Sequence, residues 1–376
     1  ILPILRAVIA GWYSVEEMRT GSIEALVDIG FCLYDAGYWN ELASLGSEAS
    51  LEEEHPVDVL LQFFLALTAR RILGIEPALA RFAALLSRAH LLGRHEPAVD
   101  LEAAYVKGLA GDYDEARKGF HRIAERPGRF DPSNRTHVRA RMYQGGMLLM
   151  DGAFRQSSSL LAETYDAVDP DENPDWGELL RYRGHAHRFS FALDEAEALY
   201  LRALQATRRD RTPALLGRLH TNVAESCCWS DPRRALEAAD SAVQIHASLG
   251  NRIEIAKCDA ARGIALAKLG EFERARNAVT AAVRRAHAVG YQGGVAFALQ
   301  ASAVAEWLGG DLDAAAGASR QLTAVVQGMG TYRHLQAAPF LLLGDDAGFA
   351  RIVAETEWLV DDSIESRIAD YARPDA

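Results

Sequence analysis

The sequence predicts an all-α protein, a solenoid of about nine helix hairpins that follow one another with a period close to 40 residues. Three observations predict this fold. A short pattern of small and apolar residues recurs along the chain, regularly spaced turn signals interrupt it, and the apolar residues between turns recur at intervals of three and four, as in amphipathic helices. The chain has 376 residues, a length at which a single compact core is rare.

The clearest copy of the repeat is residues 261–283, ARGIALAKLGEFERARNAVTAAV. Gly263 leaves room for the second helix to approach the first. Gly270 suits the left-handed conformation that ends a helix. Phe272 packs back under the turn, and the small Ala275 accepts the neighbouring helix.

Full or partial copies of this pattern occur along the chain. In order they are Gly30, Gly37, Trp39 and Leu42; Gly111, Tyr113 and Ala116; Gly145, Gly152, Phe154 and Ser157; Gly184, Phe191, Leu193 and Ala196; Asn222, Ala224 and Ala235; and Ala303, Gly310, Leu312 and Ala315. The predicted turns lie near positions 37, 74, 111, 152, 191, 230, 270, 310 and 344.

Helix starts and one interruption complete the organisation. Asn173-Pro174, Thr212-Pro213 and Asp231-Pro232 each place a capping side chain before a proline at the first helical position. The longest break, residues 125–136, is interpreted as a bend between two sub-arrays. We therefore expect N-terminal helix pairs over 1–125, a main array over 126–345, and capping helices with a tail over 346–376.

Charge and cysteine content limit the function. The net charge of −12 argues against nucleic acid as a partner of this region, although a local basic groove stays open. The four cysteines, Cys32, Cys227, Cys228 and Cys258, show no disulfide framework, which favours a reducing, cytoplasmic compartment.

The beginning of the chain and its hydropathy argue against a membrane or secretory protein. No apolar run reaches 18 residues, so no transmembrane helix is predicted. The apolar stretch at residues 1–12 is interpreted as a buried first helix rather than a secretory signal. The chain begins with Ile rather than Met, which leaves open that it is part of a longer protein.

With these marks the sequence resembles the tetratricopeptide repeat family over roughly residues 20–345, most clearly over 139–320. The family's standard repeat is 34 residues, and the longer period here departs from it. The phrase ASLGNRIEIAKCDAARGIALAKLGEFERA is similar to the C-terminal repeat regions of large bacterial signal-transduction ATPases and transcription regulators. The resemblance implies a right-handed superhelix in which the first helices of the hairpins line a concave wall.

If each hairpin contacts only its neighbours, that wall forms an open groove, and first-helix positions on it are exposed. Guanidinium groups bind carboxylates with two parallel hydrogen bonds, and tyrosine and tryptophan add rigid contact area. We therefore predict a ligand groove for an acidic or carboxylate-bearing peptide or protein, or for a small effector. The alternative is that its arginines are solvated or stack between helices. The predicted groove residues are Arg139, Tyr143, Arg181, Tyr182, His185, Arg188, Arg218, Asn222, Glu225, Trp229 and Lys257.

Some family members bind a terminal carboxylate with a clamp of polar side chains. The resemblance places Arg181, Asn222 and Lys257 at matching positions of such a clamp. It places His185 where the clamp usually has Asn, and Ala261 where it has a basic residue, so carboxy-terminal recognition is only partly implied.

Catalytic and metal motifs are absent from the sequence. It contains no GxxxxGKS/T or GxGxxG phosphate loop, no GxSxG elbow and no HExxH pair. His185, His187, His220, Cys227 and Cys228 lack the spacing of a zinc site and are interpreted as core or wall residues. No catalytic residue, metal or cofactor is predicted.

The sequence therefore predicts a non-enzymatic interaction or sensor region, favoured as the regulatory arm of a bacterial signalling or transcription-regulatory protein. The main alternative is a stand-alone scaffold or peptide receptor, with homo-oligomerisation left open. An enzyme on a helical scaffold is least favoured, and its centre would be His185, Glu225 and Cys228.

Overall fold

The computed structural model describes residues 15–124, 130–169, 173–207, 212–360 and 363–373. These residues form twenty α-helices and three 3-10 helices, with no β-strand among them. The α-helices are α1 Val15–Met18, α2 Ile23–Ala36, α3 Trp39–Glu48, α4 Pro56–Ile72, α5 Ile75–Leu86, α6 Glu96–Ala110, α7 Tyr113–Ala124, α8 Arg135–Met150, α9 Phe154–Ala167, α10 Trp176–Phe189, α11 Leu193–Ala206, α12 Pro213–Ser230, α13 Pro232–Ser248, α14 Arg252–Lys268, α15 Phe272–Ala288, α16 Gln292–Leu308, α17 Leu312–Met329, α18 Ala337–Leu342, α19 Asp346–Glu355 and α20 Ile364–Ala372. The 3-10 helices are Leu51–Glu53, Ala89–His95 and Arg333–Gln336.

Helices α2 to α19 form nine consecutive hairpins, from α2/α3 to α18/α19, and every predicted turn lies between the two helices of a hairpin. The all-α solenoid prediction is therefore confirmed. Most turns use glycine in the left-handed region, as at Gly270 with φ 77°, where residues with a Cβ are disfavoured. The fifth turn uses Phe191 instead, with φ 55°.

Two of the three predicted helix starts are confirmed, but only Asp231 caps its helix, because the Thr212 side chain forms no cap hydrogen bond. Pro213 begins α12, and Pro232 begins α13 after Asp231, whose side chain accepts from the backbone N–H of Arg234 at 3.1 Å. The prediction at Asn173 was misplaced, because α10 begins at Trp176 after an Asp175 cap. The Asn173 side chain instead accepts from the backbone N–H of Asp175 at 2.9 Å.

The small residue in the first helix of each hairpin is required by close packing. A Cβ at Gly184 would lie 2.3 Å from Cε1 of Tyr200, and one at Gly263 would lie 2.3 Å from Cγ1 of Val279. Both neighbours belong to the second helix of the same hairpin. In these two hairpins the glycine of the repeat pattern marks a point where the two helices are in close contact.

The array curls until successive turns of the superhelix contact each other. In the sequence analysis, each hairpin was assumed to contact only its neighbours in the chain. The first helices of hairpins one, two and three (α2, α4 and α6) pack against those of hairpins six, seven and eight (α12, α14 and α16). Backbone hydrogen bonds also join these superhelical turns, from Ile75 N to Val289 O at 3.2 Å and from Tyr332 N to Met150 O at 2.7 Å. About five hairpins therefore complete one circuit, and the first helices face one another across its interior.

The C-terminal segment runs back along the array. The backbone N–H of Glu357 donates to Gly152 O at 2.8 Å, and that of Leu359 donates to the Ser190 hydroxyl at 3.2 Å. Helix α20 packs against α18 and α12. The division at residues 125 and 345 stays a prediction, and residues 125–129 and the apolar start at 1–12 lie outside the described part of the chain.

None of the helices in the described ranges is long and apolar enough to span a lipid bilayer.

Replacing Gly184 by Ala tests the packing role of the small residue. We expect Gly184→Ala to destabilise the fold by about 1–3 kcal/mol, because the added methyl group must displace Tyr200. The matched control is Gly328→Ala in α17, where an added Cβ would meet no atom within 4 Å and a gain of about 0.5–1 kcal/mol is expected. Urea unfolding of both variants measures the difference, and equal effects would contradict this account.

Candidate ligand cavity

A cavity of about 150 Å³ lies on the axis of the curled array. Its wall comes mainly from the first helices of hairpins one to eight, because these face the interior. We call this space the central cavity.

Nine of the eleven predicted groove residues line the central cavity, and Asn222 and Trp229 do not. The Asn222 side chain donates to Glu225 Oε2 at 2.9 Å, and Trp229 packs edge-on against Phe191 with ring centroids 5.5 Å apart. Whether any of the eleven binds a ligand stays a prediction.

The predicted exposure of these residues was wrong. Arg181 and Tyr143 are each 8% exposed, and Asn222 is 1% exposed. The remaining members are buried or nearly so: Tyr182, His185, Glu225, Trp229, Arg139, Arg188, Arg218 and Lys257. The physical reason is the curl of the array. It brings the first helices of distant hairpins face to face, so they cover one another's side chains.

One end of the wall is organised around the carboxylate of Asp175, the residue that precedes α10. It accepts hydrogen bonds from Arg135 Nε at 2.9 Å and from Arg139 Nε at 2.8 Å. Arg135 also donates to Asp35 of α2 at 2.6 Å, across the interior. Burial alone would raise the pKa of Asp175, but the two guanidinium groups hold it well below its usual range. The pair of arginines thus ties α8, α10 and α2 together.

Glu102 of α6 is the second buried carboxylate at this end, and it is 2% exposed. It accepts from Arg70 Nη1 at 3.2 Å, Arg139 Nη1 at 3.3 Å and the Tyr143 hydroxyl at 3.0 Å. Three first helices in succession, α4, α6 and α8, therefore share one carboxylate.

The other end contains Arg181 and Lys257, two of the three residues that matched the clamp, and both already bind carboxylates. Arg181 Nε donates to Glu178 at 2.6 Å, and Lys257 Nζ donates to Glu254 at 3.2 Å. Arg218 also donates to Glu178. Despite burial, these cations lower the pKa of Glu178 and of Glu254 to about 2. A terminal carboxylate would have to displace these side chains, and Ala261 offers it no charge.

His185 lies between the two ion pairs as a neutral ring. Its Nε2 is 2.7 Å from Arg181 Nη1, and its Nδ1 is 3.0 Å from the Tyr200 hydroxyl. A guanidinium can only donate, so Nε2 accepts and Nδ1 carries the proton. Burial, followed by the charges of Arg181 and Arg188, holds the pKa of His185 well below its usual range.

The wall carries more positive than negative groups. Its cations are Arg70, Arg71, Arg135, Arg139, Arg181, Arg188, Arg218 and Lys257, and its carboxylates are Asp35, Glu102, Asp175, Glu178, Glu225 and Glu254. With His185 neutral, the lining has a net charge of about +2 inside a chain of net charge −12. Such a wall favours a ligand that brings negative charge.

Sequence reasoning identified Glu225 but missed the other five carboxylates and several rings. Glu178 and Glu254 each stand three residues before the cation they bind, so a Glu-x-x-Arg or Glu-x-x-Lys spacing in the first helix was the available signal. The rings of Tyr105, Tyr291 and Tyr332 also line the cavity. No local pattern distinguished those tyrosines from core residues.

Within the described ranges, no group of three or more His, Cys, Asp or Glu side chains is arranged to hold a metal ion. Cys227, Cys228 and Cys258 are buried free thiols.

Asp175→Asn tests the ion-pair network. We expect a loss of about 3–5 kcal/mol, because Arg135 and Arg139 would then be left partly uncompensated in a buried wall. The exposed Asp166 provides the control, and Asp166→Asn should change stability by less than about 0.5 kcal/mol. Urea unfolding at neutral pH measures both, and a similar small effect of the two substitutions would contradict a structural role for the network.

The buried side chain of His246, which lies behind the cavity wall, should make the stability of the fold depend on pH. Its Nε2 is 3.1 Å from the Thr221 hydroxyl, and burial lowers its pKa from 6.5 to about 4 although the Glu254 carboxylate acts in the opposite direction. The unfolded chain therefore takes up this proton near pH 6.5 and the folded chain only near pH 4, so the stability conferred by neutral His246 is lost as the pH falls between these values.

We expect His246→Gln to reduce the acid-induced loss of stability between pH 6.5 and pH 4 by roughly 3 kcal/mol. Denaturant unfolding at several pH values measures this loss. The exposed His121 supplies the matched control, His121→Gln. An unchanged pH profile in His246→Gln would show that His246 does not titrate differently on folding.

Comparison with known proteins supports the fold. No family model and no curated protein sequence matches this chain. Among solved structures, the chain is similar to a Rap protein complexed with competence and sporulation factor, with 12% identity and a TM-score of 0.60 over 93% of this chain and 99% of that chain. Matches with lower scores include a signal-transduction ATPase with numerous domains and a tetratricopeptide repeat sensor from Pyrococcus horikoshii (12% identity, TM-score 0.46, 89% of this chain and 48% of that chain) and the apo form of RapI (15% identity, TM-score 0.35, 93% and 84%). At these identities the likeness concerns the fold alone, and the fold of this chain is the tetratricopeptide-type solenoid that its repeat pattern indicated.

Proposed function

We propose that this chain is a non-enzymatic interaction and sensor module that binds a peptide, a protein segment or a small effector in its central cavity. The observation that carries the proposal is the charged cavity wall, in which eight cations meet six carboxylates. Burying ionised side chains costs free energy that pairing only partly offsets, so stability alone is a poor reason to place so many of them together. A need to recognise a charged ligand accounts for them.

The chemistry of the wall supports binding rather than catalysis. If the chain were an enzyme, the sequence would place its catalytic centre at His185, Glu225 and Cys228. Burial raises the pKa of the Cys228 thiol, which disfavours the thiolate that a nucleophile needs. The Nε2 atom that His185 would use as a base already accepts from Arg181.

The finer version of the proposal is the regulatory arm of a bacterial signalling or transcription-regulatory protein in the cytoplasm. The Rap protein of similar fold is complexed with competence and sporulation factor, which favours a sensing role for a curled array of this kind. The coding sequence on either side of the chain tests this version, because a regulatory arm requires an attached output domain.

A pair of double variants tests binding in the cavity. Glu254→Gln with Lys257→Gln neutralises one ion pair of the wall without leaving a buried charge, and should weaken ligand binding at least tenfold. Arg276→Gln with Glu306→Gln is the matched control, because that pair, with a 2.6 Å contact, lies outside the cavity. Thermal unfolding with a library of short synthetic peptides and small organic acids gives the readout, since a ligand at 100 times its Kd stabilises the protein by about 2.7 kcal/mol.

The result that contradicts the proposal is equally specific. A ligand whose affinity falls in the outer double variant and not in the inner one would place recognition on the outside of the array.

A further inference from the structure

Arg188, like several other cations of the central cavity, lies over an aromatic ring, and it contacts two such rings. Its guanidinium carbon lies 4.3 Å from the ring centre of Phe189 and 5.2 Å from that of Phe297. Its side chain is 11% exposed, and the two rings line the same cavity. A charged group and an apolar surface are therefore adjacent in the wall.

The hydrogen-bonding capacity of Arg188 is only partly used by the chain. The nearest carboxylate oxygen, Glu225 Oε2, is 3.6 Å from Nη2, which is beyond hydrogen-bonding distance. The Nε atom is buried and has no hydrogen-bond partner in the described part of the chain. The Tyr200 hydroxyl is its other polar contact. By contrast, Arg139 and Arg181 bind carboxylates at 2.8 Å and 2.6 Å.

Buried donors are almost always satisfied in folded proteins, and each exception calls for an explanation. An acceptor supplied by a ligand is the simplest one here. A carboxylate suits it best, because the guanidinium fork matches its two oxygens.

The aromatic side chains next to Arg188 define the rest of the ligand. Phe297 stacks on Phe189 with ring centroids 5.7 Å apart, and it meets Tyr332 edge-on at 6.0 Å. Apolar or aromatic atoms attached to the carboxylate would contact the parts of these rings that line the cavity. A space on the order of 150 Å³ admits a benzene-sized molecule, and the central cavity has about that volume.

The charge near Arg188 selects a single negative charge. Four cations and three carboxylates line this end of the cavity: Arg181, Arg188, Arg218 and Lys257 with Glu178, Glu225 and Glu254. The surplus is one positive charge. A monocarboxylate balances it, whereas a phosphate dianion would exceed it among three carboxylates.

We infer that the central cavity binds a small organic monocarboxylate, with its carboxylate on Arg188 and its apolar or aromatic body against Phe189, Phe297 and Tyr332. This inference rests on the proposed function and selects the small-effector version of it.

Calorimetric titration of the full chain with phenylacetate, phenylacetamide and inorganic phosphate tests the ligand class. We expect phenylacetate to bind, with the uncharged phenylacetamide weaker by about ten- to a hundredfold and phosphate without measurable binding. Equal affinity for the acid and the amide, or tighter binding of phosphate, would overturn the inference.

Substitutions then test Arg188 as the residue that binds the carboxylate. Arg188→Gln should weaken phenylacetate binding about ten- to a hundredfold, and Arg188→Lys, which keeps the charge but loses the fork, should have an intermediate effect. Arg276→Gln, outside the cavity, removes the same charge and should leave affinity unchanged. Circular dichroism shows whether each variant folds. If Arg188→Gln does not fold, Phe297→Leu gives an independent readout, because it should weaken the binding of phenylacetate but not that of acetate.

Arg71 is the alternative residue for binding the ligand carboxylate, since its own polar contact is the Tyr34 hydroxyl at 3.1 Å rather than a carboxylate. Loss of phenylacetate binding in Arg71→Gln but not in Arg188→Gln would overturn the assignment of Arg188.

The same titrations separate this inference from the proposed function. If short peptides bind and Glu254→Gln with Lys257→Gln weakens them, while phenylacetate does not bind, the inference fails and the proposed function stands. If neither peptides nor phenylacetate bind in the cavity, both fail.

Discussion

The closed arrangement of this array depends on pairing buried guanidinium groups with buried carboxylates across neighbouring first helices. Asp175 shows the principle, because two arginines of α8 bind it and one of them, Arg135, continues to Asp35 on the facing helix α2. Curling the array without such partners would bury isolated charges, at a cost of several kcal/mol for each ion. Pairing within the inner wall is therefore what allows the curled array to keep charged side chains in its interior.

The two levels of packing in this protein join residues at different separations along the chain. Within a hairpin, close approach at Gly184 and Gly263 sets the geometry, and apolar contacts supply the stability. Between facing superhelical turns, apolar contacts are joined by backbone hydrogen bonds, from Ile75 to Val289 and from Tyr332 to Met150. Hairpins thus form from local sequence, while the circuit closes through residues far apart in the chain.

This difference explains what could be predicted from sequence. The nine turns were predictable because glycine spacing and amphipathic periodicity are local signals. The wall positions were also identified, because Arg181, His185 and Arg218 follow from the repeat register. Their burial was not predictable, since it arises from small rotations summed over five hairpins, which no single repeat encodes. Glu178 was overlooked for a related reason: a glutamate three residues before an arginine is common on exposed helices, and only closure makes it a buried partner.

Closure also determines what kind of recognition the wall supports. An open groove lets a ligand compete with water for exposed side chains, where each ion pair contributes little. In the curled array the lining side chains are already desolvated and held by one another, so a ligand meets donors that need little reorganisation. Selectivity then follows from Arg188, a guanidinium that has no carboxylate within hydrogen-bonding distance. Arg181 and Lys257 have their own carboxylates, whereas Arg188 has an unused Nε beside two aromatic rings, so the monocarboxylate inferred above would supply an acceptor that the chain does not.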